Sequence, residues 1–255
     1  MRLIVSPLPQ VERLLAEHQP SHLVTLASPG AEAGFDAEHR LDLRFNDIAA
    51  PREGWVARAV VIDHALRRGS DDDAARAAAM CRELGLATEV IRVEVPGGPE
   101  GRGAGGPEAA ARVARYEVLQ SAAARAGSGA VVLLGHTLDD QAETVLLGLA
   151  RGSGARSLAG MAPAAGVFRR PFLGLRRSET EGACEDQGIA IVVDPTNDPD
   201  GPWRRADGGP LRRVAVRHGA IPALQAALGP GVVPALARTA DLLRADADHL
   251  DSEAE

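Results

Sequence analysis

The feature that most constrains this chain is a regular alternation of short apolar runs with helix-like segments, which begins at Arg58. Strand-like runs occupy residues 59–62, 89–95, 131–134 and 189–193. Helical periodicity occupies residues 71–84, 108–125, 138–150 and 178–187. This alternation predicts an α/β fold, with an open, mostly parallel sheet, helices on both faces and ligands at the carboxyl ends of the strands.

The two ends of the chain depart from this alternation. Beyond residue 220, helices are predicted at Ile221–Leu228 and Val233–Leu250, on either side of a Gly-Pro-Gly turn. Before residue 55, Leu23–Leu26 is a candidate strand, but Gly30–Asp47 shows neither helical nor strand periodicity. We therefore expect an atypical N-terminal segment at 1–54, an α/β domain at 55–220 and a small helical tail at 221–255.

Composition limits how the chain can bind its partners. Its formal net charge of −7 argues against a protein that holds nucleic acid through its overall field, so any RNA contact must be local. All 28 basic residues are arginine, and they outnumber the acidic residues between positions 151 and 220. Cys81 and Cys184 form no C-x-x-C pattern, which argues against a disulfide scaffold or a zinc site. No run approaches 18 apolar residues, so we expect a cytoplasmic protein without membrane contact.

One segment carries side chains suited to chemistry. Residues 135–144 read GHTLDDQAET and lie where an apolar strand gives way to a helix. The spacing of His136, Asp140 and Glu143 is i, i+4 and i+7, which places them on one helix face at the ligand edge of the sheet. One imidazole with two carboxylates suits Mg²⁺ on a nucleotide phosphate better than zinc. The alternative is an ordinary helix start with solvated acids.

Together with five further segments, this motif forms a pattern that resembles a known family. In chain order, the six segments are 61–67 (VIDHALR), 108–116 (EAAARVARY), 135–144, 170–173 (RPFL), 194–197 (DPTN) and 212–222 (RRVAVRHGAIP). Their order and spacing resemble the tRNA(Ile)-lysidine synthetases, which are N-type ATP pyrophosphatases. Two departures stand out: Ala65 replaces the family's usual glycine, and the last segment lacks the family's asparagine.

The resemblance implies an adenine nucleotide alpha hydrolase-like fold and a two-step ligation. ATP adenylates O2 of the wobble cytidine in tRNA(Ile) with a CAU anticodon, and the ε-amine of free L-lysine then attacks C2 and expels AMP. The implied cofactors are ATP and Mg²⁺. A homodimer is compatible with the family.

The resemblance also implies roles for individual residues. The implied catalytic residues are His136, Asp140, Glu143 and Arg112, and the implied metal ligands among them are Asp140 and Glu143. The implied nucleotide-binding residues are Asp63, His64, Gly135, Asp139, Ser28 and Gly30. The implied RNA-binding residues are Arg115, Arg170, Arg212, Arg213 and Arg217. Each has a structural alternative, since an arginine in such a chain also covers apolar surface and an acid also caps a strand or a turn.

The family's phosphate loop, S-G-G-x-D-S after the first strand, has no clear counterpart. The nearest segment by position is 28–33 (SPGAEA), in which Pro29 lacks the N–H that a phosphate needs. Two alternatives to the ligase therefore stay open. One is an inactive paralogue or fusion fragment that binds tRNA or protein. The other is a sister RNA-modifying ATP pyrophosphatase, which the lack of paired cysteines and of a glutaminase segment disfavours.

Overall fold

The structure is a computed structural model, and it describes part of the chain. The described residues are 22–26, 56–65, 69–93, 106–152, 154–191, 194–201, 203–205 and 207–254, with the backbone alone described for 22–26 and 106–109. Ser28, Gly30 and the aperiodic stretch Gly30–Asp47 lie outside these residues. The predictions made for them are therefore not addressed by the structure.

Strands and helices alternate through most of the described chain. The strands are β1 (His22–Leu26), β2 (Val56–Asp63), β3 (Ala87–Arg92), β4 (Val131–Leu133), β5 (Ala164–Ala165) and β6 (Phe168–Arg169). The helices are α1 (Ser70–Glu83), α2 (Gly106–Ala126), α3 (Leu138–Leu149), α4 (Ala155–Leu158), α5 (Arg177–Asp186), α6 (Arg212–Ala215), α7 (Ile221–Leu228) and α8 (Val232–Ala254). A 3₁₀ turn at Pro195–Asn197 and a π-helical turn at Val216–Ala220 complete the list.

The six strands form one sheet in the order β3-β2-β1-β4-β6-β5. Every neighbouring pair is parallel except β5 and β6. This result confirms the predicted α/β class, and it confirms a strand at 23–26, which lies in the middle of the sheet. The strand order reverses at β1, because β2 lies on one side of it and β4 on the other. In open α/β sheets such a reversal creates the crevice where ligands bind.

The sheet is covered on both faces, as the alternation of residues in β2 shows. Val60 packs with Leu119 of α2 and Val132 of β4 on one face. Its neighbours Ala59 and Val61 pack with α1 on the other face. Side chains alternate across a strand, so a strand with buried residues at consecutive positions must lie between two layers. Helices α1 and α2 supply those layers.

The C-terminal helices pack on α3. Ala142 of α3, Ile221 of α7 and Val233 of α8 form one buried apolar cluster. Both predicted helices of the tail are observed, although α8 extends further than predicted. No single helix within the described ranges is long and apolar enough to cross a membrane; the segments 212–228 and 232–254 reach that length and apolarity only together, across a bend of 101°.

Some predicted elements were wrong or missed. The strand predicted at 189–193 is absent at residues 189–191, while 192–193 lie outside the described residues. The hairpin of β5 and β6 was missed because two-residue strands are too short for any alternation to be visible. The π-helical turn was missed because a change of hydrogen-bonding pattern within a continuous helix leaves no periodicity signal.

Candidate active site at the carboxyl edge of the sheet

Three buried polar atoms without a hydrogen-bond partner among the described residues follow the ends of three parallel strands. They are Nδ1 of His64, Nδ1 of His136 and Nε of Arg170. His64 comes directly after β2, His136 three residues after β4, and Arg170 directly after β6. Buried polar side-chain atoms nearly always have a partner, so unpaired ones suggest a site for a ligand. These three lie at the edge where this fold class binds ligands.

His64 is held by a residue of α2. Arg115 Nε and Nη2 lie 3.2 and 3.0 Å from His64 Nε2. Burial, followed by the charge of Arg115, lowers the pKa of His64 to about 4, although the carboxylates of Asp63 and Asp194 oppose this shift. The imidazole is therefore neutral at pH 7. Asp63 is itself buried and accepts a hydrogen bond from the backbone N–H of Ala65 at 2.9 Å.

His136 lies in a more basic environment. Burial lowers its pKa to about 3, Asp140 opposes the shift, and the guanidinium groups of Arg213, Arg112 and Arg170 add to it. His136 is therefore neutral, and three arginines on separate segments of the chain create positive potential around it. A neutral ring in such a place can exchange hydrogen bonds with an anionic ligand without adding charge.

Two of these arginines share one tyrosine. Arg170 donates from Nη1 to the carbonyl oxygen of Ala162 at 2.7 Å and from Nη2 to Tyr116 Oη at 3.0 Å. Arg112 lies on the Tyr116 ring, 5.1 Å from its centroid, and donates to the same hydroxyl at 3.3 Å. Tyr116 packs edge-on against Phe168 at 4.8 Å. Arg170 is thus fixed and buried, whereas Arg112 is exposed.

A capping box starts α3 and defines the orientation of Asp140. Thr137 is the N-cap, and its hydroxyl oxygen accepts from the backbone N–H of Asp140. Asp140 Oδ2 in turn accepts from the backbone N–H and the hydroxyl of Thr137 at 2.8 and 2.9 Å. His136 precedes the cap and is not helical. The prediction that His136, Asp140 and Glu143 share one helix face was therefore wrong for His136, because the helix begins at Leu138.

Asp140 and Glu143 form the centre of an ion-pair cluster with three arginines. Asp140 Oδ1 accepts from Arg177, Arg213 and Arg217 at 2.8, 2.8 and 3.3 Å. Glu143 accepts from Arg213 Nε and Arg217 Nε, both at 2.7 Å, and its side chain is 1% exposed. Burial pushes the Asp140 pKa upward, but Arg177 and Arg213, together with His136 and the backbone hydrogen bond from Thr137, hold that pKa well below its usual range.

This cluster bears on the metal role predicted for Asp140 and Glu143. A carboxylate has about four lone-pair sites, and Asp140 accepts five hydrogen bonds from Thr137 and the three arginines. A cation would have to displace guanidinium groups. Within the part of the chain that the structure describes, no group of three or more His, Cys, Asp or Glu side chains could hold a metal ion. The metal role stays a prediction that these contacts do not favour.

Three further predicted site residues have different surroundings. Asp139 accepts from Arg176 Nε and Nη2 at 3.1 and 2.9 Å, and so joins α3 to α5. At Gly135 an added Cβ would meet nothing closer than the Phe172 ring at 3.9 Å, so packing among the described residues does not require a glycine. Arg212 is exposed.

The five arginines predicted to bind RNA do not form one surface. Arg115 contacts His64, Arg170 is buried, and Arg213 and Arg217 hold the acidic pair of α3. Arg212 alone among the five is exposed. Their RNA role stays a prediction, which the exposure of Arg212 favours and the burial of Arg170 does not.

Sequence reasoning missed two residues of the site. Arg177 contacts Asp140 and Glu143 from α5, 37 and 34 positions further along the chain. No local periodicity could have indicated this contact. Tyr116 was quoted within a motif but given no role in the site, although an aromatic residue four positions after Arg112 on a helix is a signal for contact between the two.

Comparison with known proteins adds a family match. Residues 14–207 match the family model described as the PP-loop domain. The match begins before β1 and therefore includes part of the segment 1–54 that the sequence alone left atypical.

The chain is also similar to individual proteins. It is 51% identical over 206 residues to a tRNA(Ile)-lysidine synthase from Leifsonia xyli, and 53% identical over 207 residues to one from Streptomyces coelicolor. These matches cover 80% of this chain but 57% and 54% of the relatives, so the chain spans little more than half of their length. A tRNA(Ile)-lysidine synthase from Rhodococcus opacus is 43% identical over 251 residues, which cover 97% of this chain and 71% of the relative.

Among solved structures, the chain resembles a U34-tRNA thiolase, NcsA from Methanococcus maripaludis, with its [4Fe-4S] cluster. The TM-score is 0.64, and the match covers 93% of this chain and 80% of the other. Sequence identity is 16%, so this likeness supports the fold alone.

Proposed function

This chain belongs to the PP-loop family and, within it, to the tRNA(Ile)-lysidine synthases, and from that premise we propose that it joins free L-lysine to the wobble cytidine of tRNA(Ile) with a CAU anticodon. The reaction uses ATP and has two steps. O2 of the cytidine displaces pyrophosphate from the α-phosphorus of ATP. The ε-amine of lysine then forms a bond to C2 while the C2–O2 bond breaks, which releases AMP and leaves lysidine.

A single observation carries this proposal. Three buried polar atoms that no described residue contacts by a hydrogen bond, on His64, His136 and Arg170, follow three parallel strand ends, on both sides of the crevice at β1. Two neutral imidazoles and a guanidinium can bind a nucleotide and the base it activates, because all three can donate hydrogen bonds to ring nitrogens, carbonyl oxygens or phosphate oxygens. The exposed Arg112, beside the same site, adds a cation for a phosphate.

We assign the residues as follows. His136 and Arg112 contact the reacting phosphate or the cytidine, while His64 and Asp63 contact the nucleotide from the β2 side. Gly135 gives the ligand close access next to His136. The first step is a displacement at phosphorus, which depends on positioning and oriented charge more than on covalent help, and the arginines around His136 supply that charge.

Asp140 and Glu143 act indirectly in this proposal. The two carboxylates form ion pairs with Arg213 and Arg217. These pairs join the segment around 212–220 to α3, and α3 begins at the site. Asp140 and Glu143 thereby position Arg213 beside His136. Mg²⁺ stays in the proposal as the counter-ion of the ATP phosphates, but its fit to these two carboxylates is poor, so no step depends on a metal held there.

The remaining partners follow from the substrate. A protein that modifies tRNA works where tRNA is made and used, so we propose a cytoplasmic location. The exposed Arg212 is the best supported of the predicted RNA contacts. The homodimer stays a prediction.

The proposal is tested by incubating the purified protein with ATP, Mg²⁺, lysine and a tRNA(Ile) transcript that carries CAU. Pyrophosphate release and a lysidine nucleoside in the digested tRNA, identified by mass spectrometry, are expected. The control transcript carries uridine in place of the wobble cytidine and should yield neither product. Equal pyrophosphate release from both transcripts would contradict the proposal.

The inactive module stays the second candidate, because the segment 28–33 has Pro29 in place of the first glycine and Ala33 in place of the last serine of the family's phosphate loop. It predicts that tRNA binds while ATP does not. Calorimetry with ATP alone separates the two candidates, since a ligase must bind ATP even where tRNA is absent.

A further inference from the structure

The contact between Arg115 and His64 determines which imidazole nitrogen carries the proton. Arg115 Nε and Nη2 both lie within 3.2 Å of His64 Nε2. A guanidinium group has N–H donors but no acceptor, and it does not lose its proton in proteins. Nε2 must therefore accept, so the proton of the neutral ring is on Nδ1.

The same ring then presents an N–H donor that none of the described residues accepts. Nδ1 of His64 is buried and has no hydrogen-bond partner among the described residues. An unpaired buried N–H is unfavourable, and the loss is recovered when a ligand supplies an acceptor. The position of His64, directly after β2, is on the ligand edge of the sheet.

We propose that Arg115 is a positioning residue, which holds His64 as the Nδ1–H tautomer so that this N–H donates a hydrogen bond to the nucleoside half of bound ATP. This inference rests on the proposed function, because it takes ATP as the ligand. It reassigns Arg115 from the RNA surface to the nucleotide site.

The charges around His64 favour the nucleoside over the phosphates. Asp63 and Asp194 face the ring with carboxylates, and Arg115 faces it with a guanidinium. Arg92 Nη1 lies 3.4 Å from Asp63 Oδ2, so the two carboxylates are matched by two guanidinium groups. These four groups, which the structure describes, carry no net charge together, so this position suits a neutral acceptor such as a ring nitrogen or a sugar oxygen. The basic groups lie instead around His136, on the β4 side of the crevice.

Imidazole ¹⁵N resonances test the tautomer directly. We would label the histidines of the 255-residue chain with ¹⁵N and assign His64 by its loss in His64→Gln. At pH 7 without ligand, His64 should show a protonated Nδ1 and an unprotonated Nε2. Arg115→Met removes the donor and should move the ring toward the Nε2–H form. Arg115→Lys keeps a donor and should restore Nδ1–H.

ATP binding provides the second readout. ATP should shift the His64 Nδ1 resonance, adenosine should shift it as well, and inorganic tripolyphosphate should leave it in place. Arg115→Met should weaken ATP binding by about tenfold, the size expected for one lost hydrogen bond with its orienting partner. The control is Arg125→Met on the same helix, because Arg125 pairs with the exposed Glu89 at the surface. This variant should bind ATP like the wild type.

The outcomes separate this inference from the proposed function. An Nε2–H tautomer in the wild type, a tautomer unchanged in Arg115→Met, or ATP binding without movement of the His64 resonance overturns the inference alone. A shift with tripolyphosphate but not with adenosine also overturns it. Absence of ATP binding overturns both, whereas a protein that passes these tests but makes no lysidine refutes the ligase and leaves the inference standing.

Discussion

Two groups of charged and polar side chains, one at the strand ends and one on α3, differ in how completely they are paired. At the strand ends, buried atoms of His64, His136 and Arg170 lack partners among the described residues. In the neighbouring cluster, Asp140 and Glu143 accept hydrogen bonds from three arginines. An unpaired buried donor or acceptor is unfavourable in the empty protein, so it indicates binding. A fully paired cluster indicates a structural role, even though its residues are the ones that the motif made most conspicuous.

The largest expected effect separates the two groups through stability. Glu143→Gln leaves guanidinium groups facing a neutral amide in a nearly buried place, so the free energy of unfolding should fall by about 3 kcal/mol. Urea denaturation monitored by circular dichroism measures this loss. The matched control is Glu89→Gln, which removes an exposed ion pair with Arg125 and should cost less than about 1 kcal/mol. Equal effects of the two substitutions would show that the cluster does not hold the fold together.

The second prediction concerns function with little change in stability. His136→Gln should lower kcat/KM for lysidine formation by about a hundredfold, because it removes the ring at the centre of the basic site. Its free energy of unfolding at pH 8 should stay within about 1 kcal/mol of the wild type, since Nδ1 has no hydrogen bond to any residue that the structure describes. A variant that is fully active would remove His136 from the site.

The third prediction uses pH. His64 and His136 have pKa values of about 4 and about 3 in the fold, compared with 6.5 for an unperturbed imidazole. The unfolded chain therefore binds more protons between these values, so stability is complete above about pH 6.5 and is lost as the pH falls toward 4. The slope should be at most about 1.4 kcal/mol per pH unit for each ring, and less for His64, which water screens in part.

Comparison with the double variant His64→Gln/His136→Gln isolates this contribution. The variant should lose less stability than the wild type between pH 6.5 and 4.5, as measured by urea denaturation at each pH. Identical slopes for the two proteins would mean that the fold does not lower the pKa of either imidazole.

The smallest effect is expected at the surface. Arg212 is exposed, so Arg212→Gln should leave the unfolding free energy within about 0.5 kcal/mol and weaken tRNA binding modestly. In a plot of the logarithm of tRNA affinity against the logarithm of salt concentration, the slope should become shallower by about one unit, as expected for one lost phosphate contact. Filter binding at several salt concentrations measures it. Arg217→Gln is the contrast, because its loss should act mainly on stability.

The sequence predicted the fold well where periodicity runs over several turns or residues. The alternation around Val60, the long helix at 108–125 and the helices of the tail all have such patterns, and all are observed. The strand prediction failed at 189–191. A short apolar run after a helix is typical of a strand, but no strand of the sheet pairs with this run. Pairing depends on distant residues and is not encoded in a local window.

The site was predicted in part for the same reason. The sequence identified the strand end that precedes His136, because the position after an apolar strand is a local feature, whereas His64 was predicted from the family resemblance. It also identified Asp140 and Glu143 and predicted that they bind a metal, but it did not predict that they pair with the arginines at 177, 213 and 217. Contacts across such separations appear only in three dimensions.

The most direct test of this account is a calorimetric titration of ATP, in the absence of tRNA, into the wild type, His136→Gln and Glu143→Gln. All three proteins are held at a temperature where circular dichroism shows them folded. The account predicts one saturable site in the wild type, binding at least tenfold weaker in His136→Gln and a much smaller loss in Glu143→Gln, in which Asp140 still holds Arg213. A wild type that binds no ATP, or a loss confined to Glu143→Gln, would contradict it.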